Sequence, residues 1–338
     1  MTTCFTKNKI VKISLIKIRI MKRFLVLSFI LSFGLTNALT AQVTEAEAEL
    51  KAQRKDTVEG WKTGGVLGVN FSQTALVNWA AGGQSSMSLN GIFSVFANYK
   101  RGKNVWDNSL DLGYGVLQQE DVKYAKKTDD KVDLLSKYGR KAYKNFYYSS
   151  LLNFKTQMAS GYVYPTDSTR DKVSDFFAPA YLIGAIGMDY KPDNHLSIFA
   201  APITTKFVFV NDTVLSNAGA FGVEKGKAYR GEFGGYIRAI YSKNDFQHVL
   251  LKNISFTTKL DLFSNYLENP ENIVVNWETL IALKINKYIN VNINTLLIYD
   301  DKIKIGKDEN NNGIIEPNEM KPRIQFKELL GIGLSIKF

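Results

Sequence analysis

From Gly60 to the carboxyl terminus, apolar and polar residues alternate. In YINVNINTLLIYD (288–300), Ile289, Val291, Ile293, Thr295, Leu297 and Tyr299 share one parity, while Asn290, Asn292 and Asn294 begin the other. Over 274–286, Val275, Trp277, Thr279, Ile281, Leu283 and Ile285 oppose Asn276, Glu278 and Lys284. Over 253–263, Ile254, Phe256, Thr258, Leu260 and Leu262 oppose Asn253, Ser255, Lys259 and Asp261. Residues 106–117 and 146–158 read the same way. Successive strand side chains point to opposite faces, so a period of two predicts strands with one greasy and one polar side. These segments run to roughly ten residues or more, against about five or six in soluble sheets. About nine to eleven tilted residues cross a bilayer as a strand. The expected fold is all-β, a transmembrane antiparallel β-barrel with lipid outside and a polar lumen.

Twelve strands are expected: 62–74, 85–100, 104–118, 131–139, 144–160, 177–190, 194–210, 229–242, 248–264, 272–286, 288–303 and 322–338. An even count suits single-chain bacterial barrels and puts both ends on one side. The connections alternate in length. RGKN (101–104), GRKAY (139–143), KPDN (191–194), SKNDFQ (242–247) and NK (286–287) are short, as periplasmic turns are. Residues 75–84, 119–130, 161–176, 211–228 and 304–321 are mostly longer, and 265–271 is the shortest of that external set.

Charge changes the picture ahead of the barrel. The chain holds 43 Lys and Arg against 32 Asp and Glu, a net charge of +11. Seven of the basic residues, and no acid, fall within 1–41, which leaves 36 against 32. The excess therefore reads as a leader, and no nucleic-acid partner is expected. From Met21, MKRFLVLSFILSFGLTNALTAQ has a charged start (Lys22, Arg23), an apolar core and small residues before a cut after Ala41, as an N-terminal signal peptide does. Met21 is the expected true start. Residues 42–59 form a short charged periplasmic arm, and 60–338 form one barrel domain. The sole cysteine, Cys4, lies in the leader, so no disulfide supports the exported part.

The chain ends in LLGIGLSIKF, in which Leu330, Ile332, Leu334, Ile336 and Phe338 alternate with small or polar residues. A last strand with a terminal aromatic looks like the signal that barrel-assembly machinery reads, so that machinery and outer-membrane lipid are the expected partners. NFSQTALVNWAAGGQSSMSLNGIFSVFANY (70–99), SKYGRKAYKNFYYSSLLNFKTQ (136–157) and RIQFKELLGIGLSIKF (323–338) together resemble a family of Bacteroidetes outer-membrane β-barrel proteins of unknown function. The resemblance covers essentially all of 60–338. It implies the outer membrane of a Gram-negative bacterium and carries over no catalytic residue.

One loop could hold a metal. DENNNGIIEPNE (308–319) fits the twelve-residue pattern of a calcium loop. Asp308, Asn310 and Asn312 would supply side-chain oxygens, Ile314 a carbonyl, Glu316 a water-bridged contact and Glu319 a bidentate carboxylate, with Gly313 at the sharp turn. Strand residues precede it and Pro317 interrupts its end, so the expected Ca2+ site is a loop grafted into a hairpin. With only Asp308 and Glu319 charged at the core positions, an affinity on the order of 0.1–1 mM is expected.

Two histidines, His195 and His248, both beside turns on the periplasmic side, give little material for a hydrolase, so no enzyme activity is expected. Alternation puts Asp107, Asp111, Lys155, Lys206, Arg230, Glu232, Arg238, Lys259, Asp261, Glu278, Lys284, Arg323, Lys327 and Lys337 in the lumen. Nine of these are basic and five acidic, which favours anions in any pore. Two functions follow. One is a narrow passive channel or uptake barrel for small solutes. The other is a closed structural or interaction barrel that binds a partner through external loops, with NWAAGG (78–83) as a contact site. Trp61, Trp106, Tyr148 and Tyr299 read as interfacial girdle residues.

Overall fold

The structure, a computed structural model, describes residues 59–76, 84–120, 122–164, 169–193, 195–249, 251–285, 289–310 and 316–337. The expected signal peptide, most of the expected arm, Trp79, Asn312, Ile314 and Phe338 lie outside them. Sixteen strands are described: β1 (Gly60–Thr74), β2 (Ser86–Arg101), β3 (Asn104–Gln119), β4 (Lys126–Tyr143), β5 (Phe146–Thr156), β6 (Gly161–Val163), β7 (Asp171–Ser174), β8 (Ala180–Tyr190), β9 (Leu196–Phe209), β10 (Tyr229–Lys243), β11 (Ile254–Asn265), β12 (Ile273–Lys284), β13 (Ile289–Tyr299), β14 (Lys304–Gly306), β15 (Met320–Pro322) and β16 (Gln325–Lys337). One short helix, α1, spans Thr213–Ala218. Twelve of the strands close into an antiparallel ring in the order β1-β16-β13-β12-β11-β10-β9-β8-β5-β4-β3-β2. The β6–β7 and β14–β15 pairs are separate two-stranded hairpins in the connections.

Closure is made by β1 on β16, from Val66 opposite Lys337 to Phe71 opposite Ile332. A closed ring leaves no row of unpaired backbone groups, each of which would cost several kcal/mol in hydrocarbon. No helix among the described residues is long and apolar enough to cross a membrane. The wall does that work instead. Its outward parity carries large apolar side chains in the open, among them Leu67, Val69, Phe71, Leu89, Ile203 and Ile237. Its inward parity is buried and largely polar.

Each of the twelve expected segments falls on a barrel strand, but the ends differ. β4 begins at Lys126 rather than 131, because KKTDD lacks apolar alternation while its backbone pairs with β3 (Leu117 opposite Lys126). β11 begins at Ile254 rather than 248. There the chain folds into a local turn, with Leu251 N and Lys252 N both donating to the His248 carbonyl (2.9 and 3.0 Å). The β10–β11 connection (244–253) is therefore longer than the alternation indicated.

A parity break sits in β9. Ser197, Phe199 and Ala201 point inward, and then Thr204, Lys206 and Val208 do. The register against β10 jumps between Ala201 opposite Tyr236 and Thr204 opposite Gly234. Pro202 lies in that step. It has no N–H to give the ladder, and a bulge is where a strand accommodates it. Across the bulge, Gly187 of β8 leaves room for backbone. A Cβ there would stand 2.0 Å from the Ala200 carbonyl oxygen.

Connections of two kinds separate the ends. At the terminus end, the turns are 102–103, 144–145, 191–195, 244–253 and 285–288. At the far end, 75–85, 120–125, 157–179, 210–228, 266–272 and 300–324 include the hairpins and α1. Trp61, Trp106 and Tyr148 are exposed near the terminus end, whereas Tyr299 is half-buried at the far end.

Candidate functional site: the charged lumen and its far-end cavity

Alternation brings opposite charges face to face on the inner wall, and the register makes them neighbours. Arg238 of β10 is opposite Asp261 of β11, Lys259 of β11 opposite Glu278 of β12, Asp133 of β4 opposite Lys155 of β5, and Lys206 of β9 opposite Glu232 of β10. Opposite charges at directly facing sheet positions attract. Arg238 is held tightest, with Nε 2.6 Å from Asp261 Oδ1 and Nη2 3.1 Å from Oδ2. Tyr236 donates its hydroxyl to the same carboxylate at 2.7 Å. Lys155 bridges Asp133 (3.7 Å) and Asp261 (3.6 Å), and Lys259 bridges Asp133 (3.7 Å) and Glu278 (3.3 Å). Lys206 reaches Glu232 (3.0 Å) and Asp300 (3.4 Å). Arg230 pairs with Glu232 and lies 3.7 Å from Asp300.

Others of the residues expected in the lumen find partners too. Asp107 meets Lys191 at 3.3 Å, Asp111 accepts from the Ser94 hydroxyl, and Lys327 meets Asp129 at 2.6 Å. Lys284 ends β12 opposite Asn290. Arg323 is the exception. Sequence alternation put it in the lumen, but it stands in the β15–β16 connection, where it donates to Glu309 (2.7 Å) and the Ile305 carbonyl (3.2 Å). Its strand starts at Gln325, three residues later than the pattern suggested.

Sequence reasoning missed seven members of the network: Asp129, Lys131, Asp133, Lys137, Asp189, Lys191 and Asp300. Lys137 and Asp189 form a buried pair at 2.6 Å, and Ser197 donates to the same carboxylate at 2.6 Å. The signal was present in DKVDLLSK (130–137), where Lys131, Asp133 and Lys137 alternate with Val132, Leu134 and Ser136.

An apolar cluster shares the interior. Leu151, Ala185, Phe199, Ala201, Tyr236 and Phe263 are all buried together. Toward the terminus end, inward side chains such as Val66, Phe96, Val105, Ser149, Leu280 and Asn292 are also buried. The far-end half is roomier. A cavity of about 290 Å³ is lined there by residues including Asp111, Lys131, Lys155, Tyr181, Asp261 and Glu278. Its lining carries seven carboxylates against four lysines. The nine-to-five basic excess expected from the sequence is thus reversed around the cavity, because Asp129, Asp130 and Asp133 of β4 and Asp300 converge on it. Neither histidine lines it. His195 donates from Nδ1 to the Ser242 carbonyl (2.9 Å) at the terminus end.

Two far-end connections are clasped together. Lys172 Nζ lies 2.7 Å from Asp175 and 3.0 Å from Asp212. Asn211 N donates to the Phe177 carbonyl at 3.0 Å, and Ala178, Val210, Leu215 and Val223 form a buried cluster. Asp212 caps α1 by accepting from Leu215 N (2.9 Å), and Gly219 ends the helix at φ 71°, a left-handed conformation that glycine adopts without strain. The Leu215 amide, and then Lys172, hold the Asp212 carboxyl below the usual carboxylate range. Lys172 does the same to Asp175. Arg230 Nε donates to the Phe221 carbonyl (3.2 Å), which links this clasp to the lumen network.

In the 308–319 loop, Glu319 is buried. Its Oε1 accepts from Glu309 N (2.8 Å) and its Oε2 from Glu316 N (2.9 Å). Each oxygen retains a lone pair, so this carboxylate fits a cation ligand whose position is already set by two amides. Glu309 pairs with Arg323 and with Lys321, which hold its carboxyl down at about 2. Asn312 and Ile314 lie outside the described residues. Among the described residues no group of three or more His, Cys, Asp and Glu converges as a metal site. On β16, Leu330, Ile332 and Leu334 are exposed on the outer face and Ile336 pairs with Leu67.

A family model described as a protein of unknown function (DUF3078) matches residues 71–162. That span takes in nearly all of 70–99 and 136–157 but not 323–338, so the match is shorter than the expected resemblance over 60–338. No curated protein matches the sequence. Among solved structures, an outer membrane channel from Pseudomonas putida F1 is 10% identical over 84% of this chain and 99% of its own, with a TM-score of 0.37. The translocator domain of the autotransporter NalP from Neisseria meningitidis is 9% identical over 87% and 93%, with a TM-score of 0.39. A Salmonella typhi outer membrane phospholipase dimer with bound calcium is 10% identical over 85% and 96%, with a TM-score of 0.32. The class rests on the chain's own geometry. A closed ring of twelve antiparallel strands, apolar outside and charged inside, is an outer-membrane β-barrel.

Proposed function

We propose that this barrel is a narrow uptake channel for small solutes in the outer membrane of a Gram-negative bacterium. The observation that carries the reading is the cavity of about 290 Å³ in the far-end half of the lumen. Its acidic excess favours neutral or cationic solutes over anions. The buried side chains of the terminus-end half are the barrier a solute must pass. The second reading, a closed barrel acting through external loops, is favoured by those same buried side chains and by the clasped far-end connections. Planar-bilayer conductance of the purified, folded barrel separates the two. Discrete steps with cation preference are expected of the channel. A folded barrel that stays silent sinks it in favour of the closed barrel.

Three further readings belong with this proposal. The leader at 1–41 directs export, with Met21 as the start. The residues Leu330 to Phe338 present the assembly signal. The 308–319 loop binds calcium weakly, with Asp308 and Glu319 as its charged ligands, and stiffens the last external connection. Millimolar calcium should then raise the unfolding temperature of the native barrel but not that of an Asp308→Ala, Glu319→Ala variant. Equal shifts in both would remove the site.

A further inference from the structure

At the terminus end, one sector of the rim carries charge that nothing on the wall balances. Arg101 and Lys103 flank the β2–β3 turn, and Arg140 and Lys144 flank or occupy the β4–β5 turn. All four are exposed. Arg101 and Arg140 lie in one lateral row with Asn104 between them, since Arg101 is opposite Asn104 and Asn104 opposite Arg140. Two interstrand spacings separate their backbones by roughly 10 Å. Parity turns both arginines outward: each is two residues along its strand from an outward aromatic, Tyr99 for Arg101 and the exposed Tyr138 for Arg140.

The row next to them, one step toward the middle of the wall, is aromatic. The Trp61 ring lies 5.2 Å from Tyr99 and 5.8 Å from Trp106. Trp106 Nε1 donates to the Ser136 hydroxyl at 2.8 Å, and the Tyr138 hydroxyl donates to Asn104 at 2.9 Å. Rings with an apolar body and a satisfied polar tip settle at the headgroup level of a bilayer. The four cations stand one step beyond that level, where lipid phosphates lie.

Deeper in the lumen Lys137, Lys155, Lys206, Arg238 and Lys259 are each matched by a carboxylate. Among the described residues these four form no ion pair. Lys144 only lies over the Tyr143 ring at 5.2 Å. The acids beside them are engaged elsewhere: Glu59 accepts from Gly102 N (2.9 Å), and Asp193 from His195 N (2.7 Å) and Leu196 N (2.9 Å).

We propose that this rim binds anionic phospholipid headgroups of the leaflet on the terminus side. A phosphate would sit between the Arg101 and Arg140 guanidiniums, whose planar forks match phosphate oxygens. Its acyl chains would continue onto the apolar wall beside Trp106. Lys103 and Lys144 add field without needing fixed geometry.

The test uses the full chain folded into phosphatidylcholine vesicles containing either brominated phosphatidylglycerol or brominated phosphatidylcholine, with tryptophan quenching as the readout. At equal mole fraction, the brominated anionic lipid should quench with roughly fivefold higher apparent affinity, the size one charge–headgroup contact gives, and the preference should fall with added salt. A variant with Arg101, Lys103, Arg140 and Lys144 all changed to Gln should lose the preference and keep ordinary quenching by phosphatidylcholine. Heat-modifiable mobility on gels checks that it is folded, and Arg101→Lys with Arg140→Lys should retain most of the preference. Equal quenching by the two lipids in the unaltered protein overturns the proposal, as does a preference that survives in the Gln variant. A preference seen only after deletion of 42–58 also overturns it, since the chain's own arm would then be the occupant.

Discussion

Arg238 and Asp261 show what a single residue does in this lumen. They face each other across β10 and β11, both buried, and Tyr236 and Lys155 complete the carboxylate's surroundings. Removing one partner from a buried ion pair leaves a charge stranded in a poor solvent, which costs about 3–5 kcal/mol. Arg238→Ala should therefore lower the unfolding free energy of vesicle-folded barrel, read by urea titration, by that order, because Lys155 cannot replace a bidentate contact. Arg238→Met with Asp261→Asn should recover most of the loss. If the double variant is as unstable as the sum of the singles, the two residues do not act as a pair.

At the element scale, the far-end clasp depends on Lys172 joining β7 to the cap of α1. Asp175 and Asp212 have carboxyls held below their unfolded values, so their contribution is present above the ordinary carboxylate pKa, near 3.9, and is lost as pH falls through the depressed folded values. The pairs are partly exposed and salt-screened, so the effect is local ordering rather than global stability. The Leu215 amide, bonded to Asp212, should report it by NMR. Its titration midpoint should lie below the ordinary Asp value and move up in Lys172→Met, with the residual depression set by the cap itself. An unchanged midpoint would mean the lysine does not hold α1. The β9 bulge carries the other lesson of this scale. Pro202 was visible in the sequence, but the switch of inward parity from Ala201 to Thr204 was not, since a bulge is defined against its partner strand.

Across the whole molecule, closure of β1 on β16 is the last contact made in sequence terms and the longest in range. Leu330, Ile332 and Leu334 are exposed on the outer wall, as a recognised terminal strand requires. Deleting Phe338 should reduce the yield of folded, heat-modifiable barrel in the membrane while leaving synthesis unchanged. Normal yield would show that assembly reads other residues. The conductance experiment belongs at this scale as well, since an open lumen is a property of all twelve strands together.

The strand count, the two faces and the closed architecture were legible in the chain because a period of two is local and most of the barrel wall shows it. So was the polar parity that Lys155, Arg230, Glu232, Arg238, Lys259, Asp261 and Glu278 each share with their strand. What the chain did not disclose was pairing. Which charges meet depends on register between strands, and Asp133 or Asp300 cannot be matched to Lys155 or Lys206 without it. The reversal from a basic to an acidic cavity, the displacement of Arg323 to the β15–β16 connection and the unmatched rim at Arg101 and Arg140 all follow from that same fact. Side-chain parity belongs to the single strand, and charge balance belongs to the ring.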